Sequence, residues 1–343
     1  MYSNLNARVK WNEFFSNTFN ITNGIKQGGV ISPLLFTLYT DKLIDEVSNT
    51  KLGCYIGDRC CSIFMYADDI ILIAPTKSSM VRILKCCEKF SDAYGLNFNP
   101  DKSECIVFSK YYANVELFLN GKNLCVRNNV KHLGHTLQNA KNIFSVKEVI
   151  SDLKLRTNVI ISNFNLLSRE CKRRIFNSNC TSFYGCHHID LTSNDAEKLD
   201  RTWRVCVRKV LGINKMTHRC LLPALMQSLN PIEEIKCRIF KFFIDGFHNS
   251  SDYISFFFKN CFIEQTSVMY RNISEIIRKH NITRGELFAN TCPNIKKDIK
   301  SSFFNVDWKI KMIEEILDCR DGSLDNGFTH TELQWFLDDL CVR

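Results

Sequence analysis

The stretch FMYADDIILIA (Phe64–Ala74) sets two carboxylates, Asp68 and Asp69, between two apolar runs. SIFMY (62–66) and IILIA (70–74) are short and rich in β-branched and aromatic residues, which suits strands buried on both faces. The Ala67-Asp68-Asp69 step then falls where a tight hairpin turn belongs. Two carboxylates a few ångströms apart cannot both stay ionised in an apolar setting without compensation. A divalent cation supplies it, because Mg2+ is hard and takes carboxylates together with substrate phosphates. An exposed turn, where Asp is common, is the plainer alternative. The symmetric apolar flanks, and Tyr66 just before the pair, weigh against it.

On the N-terminal side, TNGIKQGGV (22–30) is a glycine-rich loop. Ser32 follows as an N-cap candidate, with Pro33 at the first helical position. The helix PLLFTLYTDKLIDEV (33–47) would align Leu35, Tyr39, Leu43 and Val47 on one face. Further upstream, VKWNEFFSNTFNI (9–21) alternates apolar residues around Ser16-Asn17 and reads as a hairpin turning there.

On the C-terminal side, SSMVRILKCCEKFSDAYG (78–95) is an amphipathic helix with Ile83, Cys87, Phe90 and Tyr94 in register. Ser79 would cap it and Gly95 end it. ECIVF (104–108) reads as a strand and VELFLNGKNLCV (115–126) as a hairpin about Asn120-Gly121. VKHLGHTL (130–137) reads as one short strand with a glycine inside it. After about residue 140 the strand signals fade. Helices are expected over 144–167, 170–185 and 194–212, the last capped by Asp195 and stopped by Gly212, with Phe- and Lys-rich helices from 231 onward.

Composition narrows the function classes. The 343 residues are 45% hydrophobic and 24% charged, as in an ordinary globular protein. The net charge of +9 is uneven: residues 151–220 hold thirteen Lys/Arg against six Asp/Glu, a field suited to a polyanion or to a solvated helix face. No run reaches the roughly 18–20 apolar residues of a membrane span. The 17 cysteines are scattered and odd in number, and read as reduced thiols of an intracellular protein. No Cys-x-x-Cys pair is present, and the adjacent Cys186, His187 and His188 are poorly spaced for a tetrahedral zinc site.

Tyr66-Ala67-Asp68-Asp69 resembles the metal-binding tetrad of reverse transcriptases. NGIKQGGVISPLLFTLYTDKL (23–43) is similar to that family's preceding glycine-rich loop and helix. YGLNFNPDKSECIVFSK (94–110) is similar to the following motif with its lysine, and VKHLGHTL to the strand that grips the primer. The order and spacing resemble the polymerase part of non-LTR, LINE-like retrotransposons. YGCHHIDL and WRVCVRKVLGI look less distinctively like the helical thumb that follows.

The resemblance implies an α+β fold: a partial right-hand palm over 1–140, a thumb-like region over 141–222 and a helical C-terminal region over 223–343. It implies RNA-directed DNA polymerisation from dNTPs, on an RNA template and a DNA primer. Asp68 and Asp69 would be catalytic and would bind Mg2+ or Mn2+. Lys102 would sit at the triphosphate, and Gln27, Gly28 and Tyr66 beside nucleotide and template. Leu133 and Gly134 would contact the primer. The basic helices KRRIF and RTWRVCVRK would track phosphates, and no membrane is implied. The family pattern also has an aspartate on a strand before the Gln-Gly loop. The 23 residues before Gly24 contain no Asp, and their one acid is Glu13. The sequence therefore reads as an N-terminally truncated member with weak metal binding and weak or absent activity. A non-enzymatic nucleic-acid binder is the alternative.

Overall fold

The computed structural model describes residues 5–21, 24, 28–108, 115–139, 146–219, 221–289, 295, 297 and 298. The chain divides into two compact units, Met1–Ala140 and Lys141–Arg343. The first mixes short strands with two long helices and the second is helical, an α+β chain as expected.

The first unit opens with a nested ribbon. Strands β1 (Leu5–Ala7) and β4 (Phe19–Ile21) form the outer pair, and β2 (Lys10–Trp11) and β3 (Phe14–Phe15) the inner pair. The hairpin expected here exists, but its turn is Asn12-Glu13, with Asn12 at φ +52°. Ser16 instead bridges the two ladders: its Oγ accepts from Val9 N (2.9 Å) and its N–H donates to Val9 O (2.9 Å). Asn12 is a residue type that tolerates the left-handed region this turn needs.

Helix α1 (Ser32–Asn49) starts one residue before Pro33. Ser32 is not its cap; the N-cap is Ile31, no side chain caps the end, and Ser32 is buried. The inward stripe is Ser32, Thr40, Leu43 and Val47, while Leu35 and Tyr39 face outward. Tyr39 is occupied at the surface, where its hydroxyl donates to Tyr94 O and its ring meets Tyr94 edge-on.

Two hairpins follow, β5 (Tyr55–Ile56) with β6 (Arg59–Cys60), then β7 (Ile63–Tyr66) with β8 (Asp69–Leu72). Helix α2 (Lys77–Tyr94) is capped by Thr76, whose side chain accepts from Ser79 N (3.1 Å), so the cap lies three residues before Ser79. Gly95 ends it at φ +63°, as its position predicts. Leu43 and Val47 of α1, Ile63 of β7, and Ile83, Cys87 and Phe90 of α2 form one core.

Strand β9 (Glu104–Cys105) pairs in parallel with β12 (Cys125–Val126). Between them, β10 (Phe118–Leu119) and β11 (Lys122–Asn123) close about Asn120 (φ +51°) and Gly121 (φ +74°), the turn foreseen. Asn120 N donates to Glu88 of α2 (2.6 Å), and Leu84 packs with Leu117, Leu119 and Leu124 in a second core. Residues 129–138 are not one strand but a hairpin, β13 (Asn129–His132) with β14 (His135–Gln138). Every ladder among the described residues is two-stranded, where the palm resemblance implied a broader antiparallel sheet.

The second unit runs through α3 (Val146–Asn163), α4 (Arg169–Asn179), a single 3-10 turn at Cys186–His188, α5 (Asn194–Leu211), α6 (Leu221–Met226), α7 (Pro231–Phe247), α8 (Asp252–Glu264), α9 (Val268–Lys279) and α10 (Arg284–Phe288). The cap of α5 is Ser193 rather than Asp195, and Gly212 at φ +62° ends it. One apolar cluster runs from Val146 to Ile295 and includes Phe176, Leu199, Trp203, Ile239 and Phe243, so helices on both sides of residue 222 share a core.

The arginines expected to meet phosphates are partly structural. Arg173 is buried, paired with Glu170, and donates to Met226 O (3.3 Å); Arg208 donates to Thr217 O (2.7 Å). Arg204 pairs with Asp200 (3.1 Å). No described helix is long and apolar enough to cross a membrane.

Leu199 is fully buried and Leu166 is 95% exposed. Leu199→Ala should cost about 3 kcal/mol in urea unfolding, and Leu166→Ala almost nothing. Similar small losses for both would contradict this core. Hydrogen bonding from Arg173, aided by Arg174, pulls the Glu170 carboxyl down to about 2. Its folded value lies below the unfolded one, so its contribution is present above the unfolded value and disappears as pH falls through about 2. Glu170→Gln should therefore lower the thermal midpoint modestly at pH 7 and progressively less below pH 4, because nearly half of the side chain (47%) is exposed.

Candidate catalytic hairpin

The hairpin of Phe64–Ala74 forms for local reasons. Its apolar residues pair across the ladder, Ile63 with Leu72, Phe64 with Ile71 and Met65 with Ile70. Ile73 N donates to Ser62 O (2.7 Å) and extends it by a step. Only one face is anchored: Ile63 is buried, Met65, Ile70 and Leu72 pack against the first core, and Phe64 is exposed. The expectation of strands buried on both faces is therefore corrected.

The last ladder pair is Tyr66 with Asp69, which leaves Ala67-Asp68 as the two-residue turn. Tyr66, Ala67, Asp68 and Asp69 are all exposed. The pair is thus a wet site at a hairpin tip, and burial does not force the charges together. Ala67 sits at φ +53°. A Cβ-bearing residue there costs about 1–2 kcal/mol, so the tip carries strain that a glycine would avoid.

Leu72 belongs to both apolar cores, the second of which holds Cys105 of β9. The strand after Lys102 and the strand after Asp69 are therefore held in one packed body. Lys102 lies exposed in a pinned turn: its N–H donates to Asn99 O (3.2 Å), Asp101 N donates to Asn99 Oδ1 (3.0 Å), and Asp101 pairs with Lys122.

Gly28 is exposed at φ +76° with open space where a Cβ would stand, so conformation rather than close packing requires glycine there. Gln27 lies outside the described residues. Leu133 (φ +47°) and Gly134 (φ +78°) form the β13–β14 turn, so Gly134 serves a hairpin and not a strand interior. Sequence reasoning missed this hairpin. Its signal was faint: a Leu-Gly step between His132 and His135, with a strand-length run on each side.

Among the described residues, no group of three His, Cys, Asp or Glu side chains could hold a metal. The donor chemistry of Asp68 and Asp69 nevertheless fits Mg2+, which takes one or two carboxylates alongside substrate phosphates.

The reverse transcriptase (RNA-dependent DNA polymerase) family matches residues 2–137, from the nested ribbon to β14. Over 87 residues the chain is 32% identical to the retrovirus-related Pol polyprotein from type-2 retrotransposable element R2DM of Drosophila melanogaster, covering 25% of this chain and 8% of that protein. Over 216 residues it is 22% identical to the Pol polyprotein from type-1 retrotransposable element R2 of Popillia japonica, covering 59% of this chain and 34% of that protein. The chain carries a non-LTR reverse-transcriptase domain. It spans 8% to 34% of the length of these relatives. All four motifs read in the sequence lie within the reverse-transcriptase domain, and its matched stretch ends at residue 137, inside β14.

The strain at the tip is testable. Ala67→Val, β-branched in a left-handed position, should destabilise the protein by about 1–2 kcal/mol relative to Ala67→Gly in denaturant titration. Equal stabilities would show that the tip does not hold this conformation.

Proposed function

We propose that the reverse-transcriptase domain acts in RNA-directed DNA synthesis as part of a palm, with dNTPs, an RNA template and a DNA primer as its partners. The observation that carries this reading is the adjacent pair Asp68 and Asp69, exposed at the tip of a hairpin whose base is packed against α1 and α2, inside the matched region. The pair would hold Mg2+ or Mn2+; when bound, such an ion neutralises the triphosphate and activates the primer hydroxyl.

The other roles belong to the chain's own groups. Tyr66, opposite Asp69, offers an exposed ring and hydroxyl beside the nucleotide. Gln27 and Gly28 border the incoming base and template. Lys102 Nζ supplies positive charge to the triphosphate and gives a proton to leaving pyrophosphate. The Leu133-Gly134 tip lies along the primer backbone. In the second unit, a thumb-like region over 141–222 presents exposed lysines such as Lys154 and Lys209 to phosphates, and 223–343 forms a helical C-terminal region. The protein works inside the cell.

A second reading has its own observation. With no third metal-ligating side chain near the tip among the described residues, metal binding is weak and the chain binds nucleic acid without catalysis. A titration separates the two. In the catalytic reading, the purified chain binds a dNTP only with Mg2+, and Asp68→Asn weakens that binding by about tenfold or more (about 1.4 kcal/mol) without altering unfolding. Equal dNTP binding by both proteins would overturn the catalytic reading. Nucleic-acid binding that falls with salt and ignores Asp68 would then support the second.

A further inference from the structure

The β5–β6 hairpin takes no part in the roles assigned above. Its register opposes Ile56 to Arg59 and Tyr55 to Cys60. One step further from the turn, Cys61 N donates to Cys54 O (2.8 Å), so Cys54 and Cys61 stand directly opposite each other. Residues in such a hydrogen-bonded pair have Cα atoms about 5.5 Å apart. That lies inside the roughly 4.4–6.8 Å a disulfide spans. The Cβ atoms of such a directly opposed pair stand about 5 Å apart, so closing the bridge draws the two side chains about 1 Å nearer. Strand alternation puts the Cys54 and Cys61 side chains on one side of the ribbon, and Cys60 with Tyr55 on the other.

The surroundings hold the two segments in this register. A Cβ at Gly53 would lie 1.4 Å from Ser62 Oγ, so glycine permits the close approach of the residues flanking the pair. Ser62 Oγ also donates to Cys54 O (3.4 Å). Neither thiol is bridged in the structure; Cys54 is half-buried and Cys61 buried. A metal site is not the reason for the cluster, since no metal-holding group of three such side chains occurs among the described residues.

We propose that Cys54 and Cys61 are a cross-strand dithiol that a low-molecular-weight disulfide oxidises to an internal bridge. The Cys54 thiolate attacks one sulfur of the small disulfide and expels one thiolate. The Cys61 thiolate then attacks the Cys54 sulfur of the mixed disulfide and expels the second. Two protein thiols are oxidised, the reagent is reduced to two thiols, and those take up the two protons. The bridge clasps the segment after α1 to the start of β7, the strand that runs to the carboxylate turn.

Cys60 is the competing nucleophile. Burial would push its thiol up, but hydrogen bonds with Ser62, Ser48 and Tyr55 outweigh that and leave it below the usual thiol range. The test separates the two. The native chain is incubated with oxidised glutathione, remaining thiols are alkylated, and the tryptic peptides are weighed. Cleavage after Lys51, Arg59 and Lys77 leaves Cys54 in 52–59 and both Cys60 and Cys61 in 60–77. The proposal predicts a disulfide-linked pair of these peptides in the unaltered chain and in Cys60→Ser. The link is lost in Cys61→Ser and reversed by dithiothreitol. Unlinked peptides in the unaltered chain and Cys60→Ser, or a link that survives Cys61→Ser and fails in Cys60→Ser, would overturn it. No polymerase activity enters the readout, so its failure is independent of the proposed function.

Discussion

The candidate site depends on one ladder, the four antiparallel pairs from Ile63–Leu72 to Tyr66–Asp69. A hairpin this short is marginal alone. Its inner face is held by α1 and α2 through Leu43, Val47, Ile83, Cys87 and Phe90, and Leu72 ties it to the second core as well. That anchoring lets the other end project two carboxylates into water on a turn with a left-handed alanine. Without it, neither the strain at Ala67 nor the repulsion between Asp68 and Asp69 would be tolerated at a fixed place.

Strained turns fall in two of the motif hairpins. The structural turn at Asn120-Gly121 uses the residues that a left-handed pair favours, and Glu88 accepts a hydrogen bond from it. The turns at Ala67 and Leu133 instead put Cβ-bearing residues without short polar side chains at φ +53° and +47°. Chemistry that fixes a side chain at a hairpin tip is a physical reason to keep such residues despite their cost. The second unit contrasts with this. Its stability rests on one apolar cluster, and several of its arginines are spent on carbonyls and carboxylates within the fold.

Much of this was legible in the sequence where the signal is local. Asn120-Gly121, Gly95 and Gly212 name their turns and helix ends because few other residues adopt those dihedrals. The carboxylate turn was placed correctly because its apolar flanks have strand length. Partners are what sequence does not display. Ser32 looked like a cap, yet its backbone is already helical and its side chain is buried. Arg173 and Arg208 looked like phosphate ligands, and only tertiary packing shows Glu170, Met226 and Thr217 as their partners. Outward Leu35 and Tyr39 broke a regular stripe because the core lies against Thr40 instead. The Leu133-Gly134 hairpin was missed because leucine is a poor marker of a left-handed turn.

The most direct measurement is paramagnetic broadening of backbone amides by Mn2+ in the presence of a dNTP. Ala67, Asp68 and Asp69 should broaden at the lowest Mn2+, well before other exposed acids such as Asp58 and Asp101. Broadening spread evenly over exposed carboxylates, with the hairpin tip no more sensitive than the rest, would contradict a metal site there.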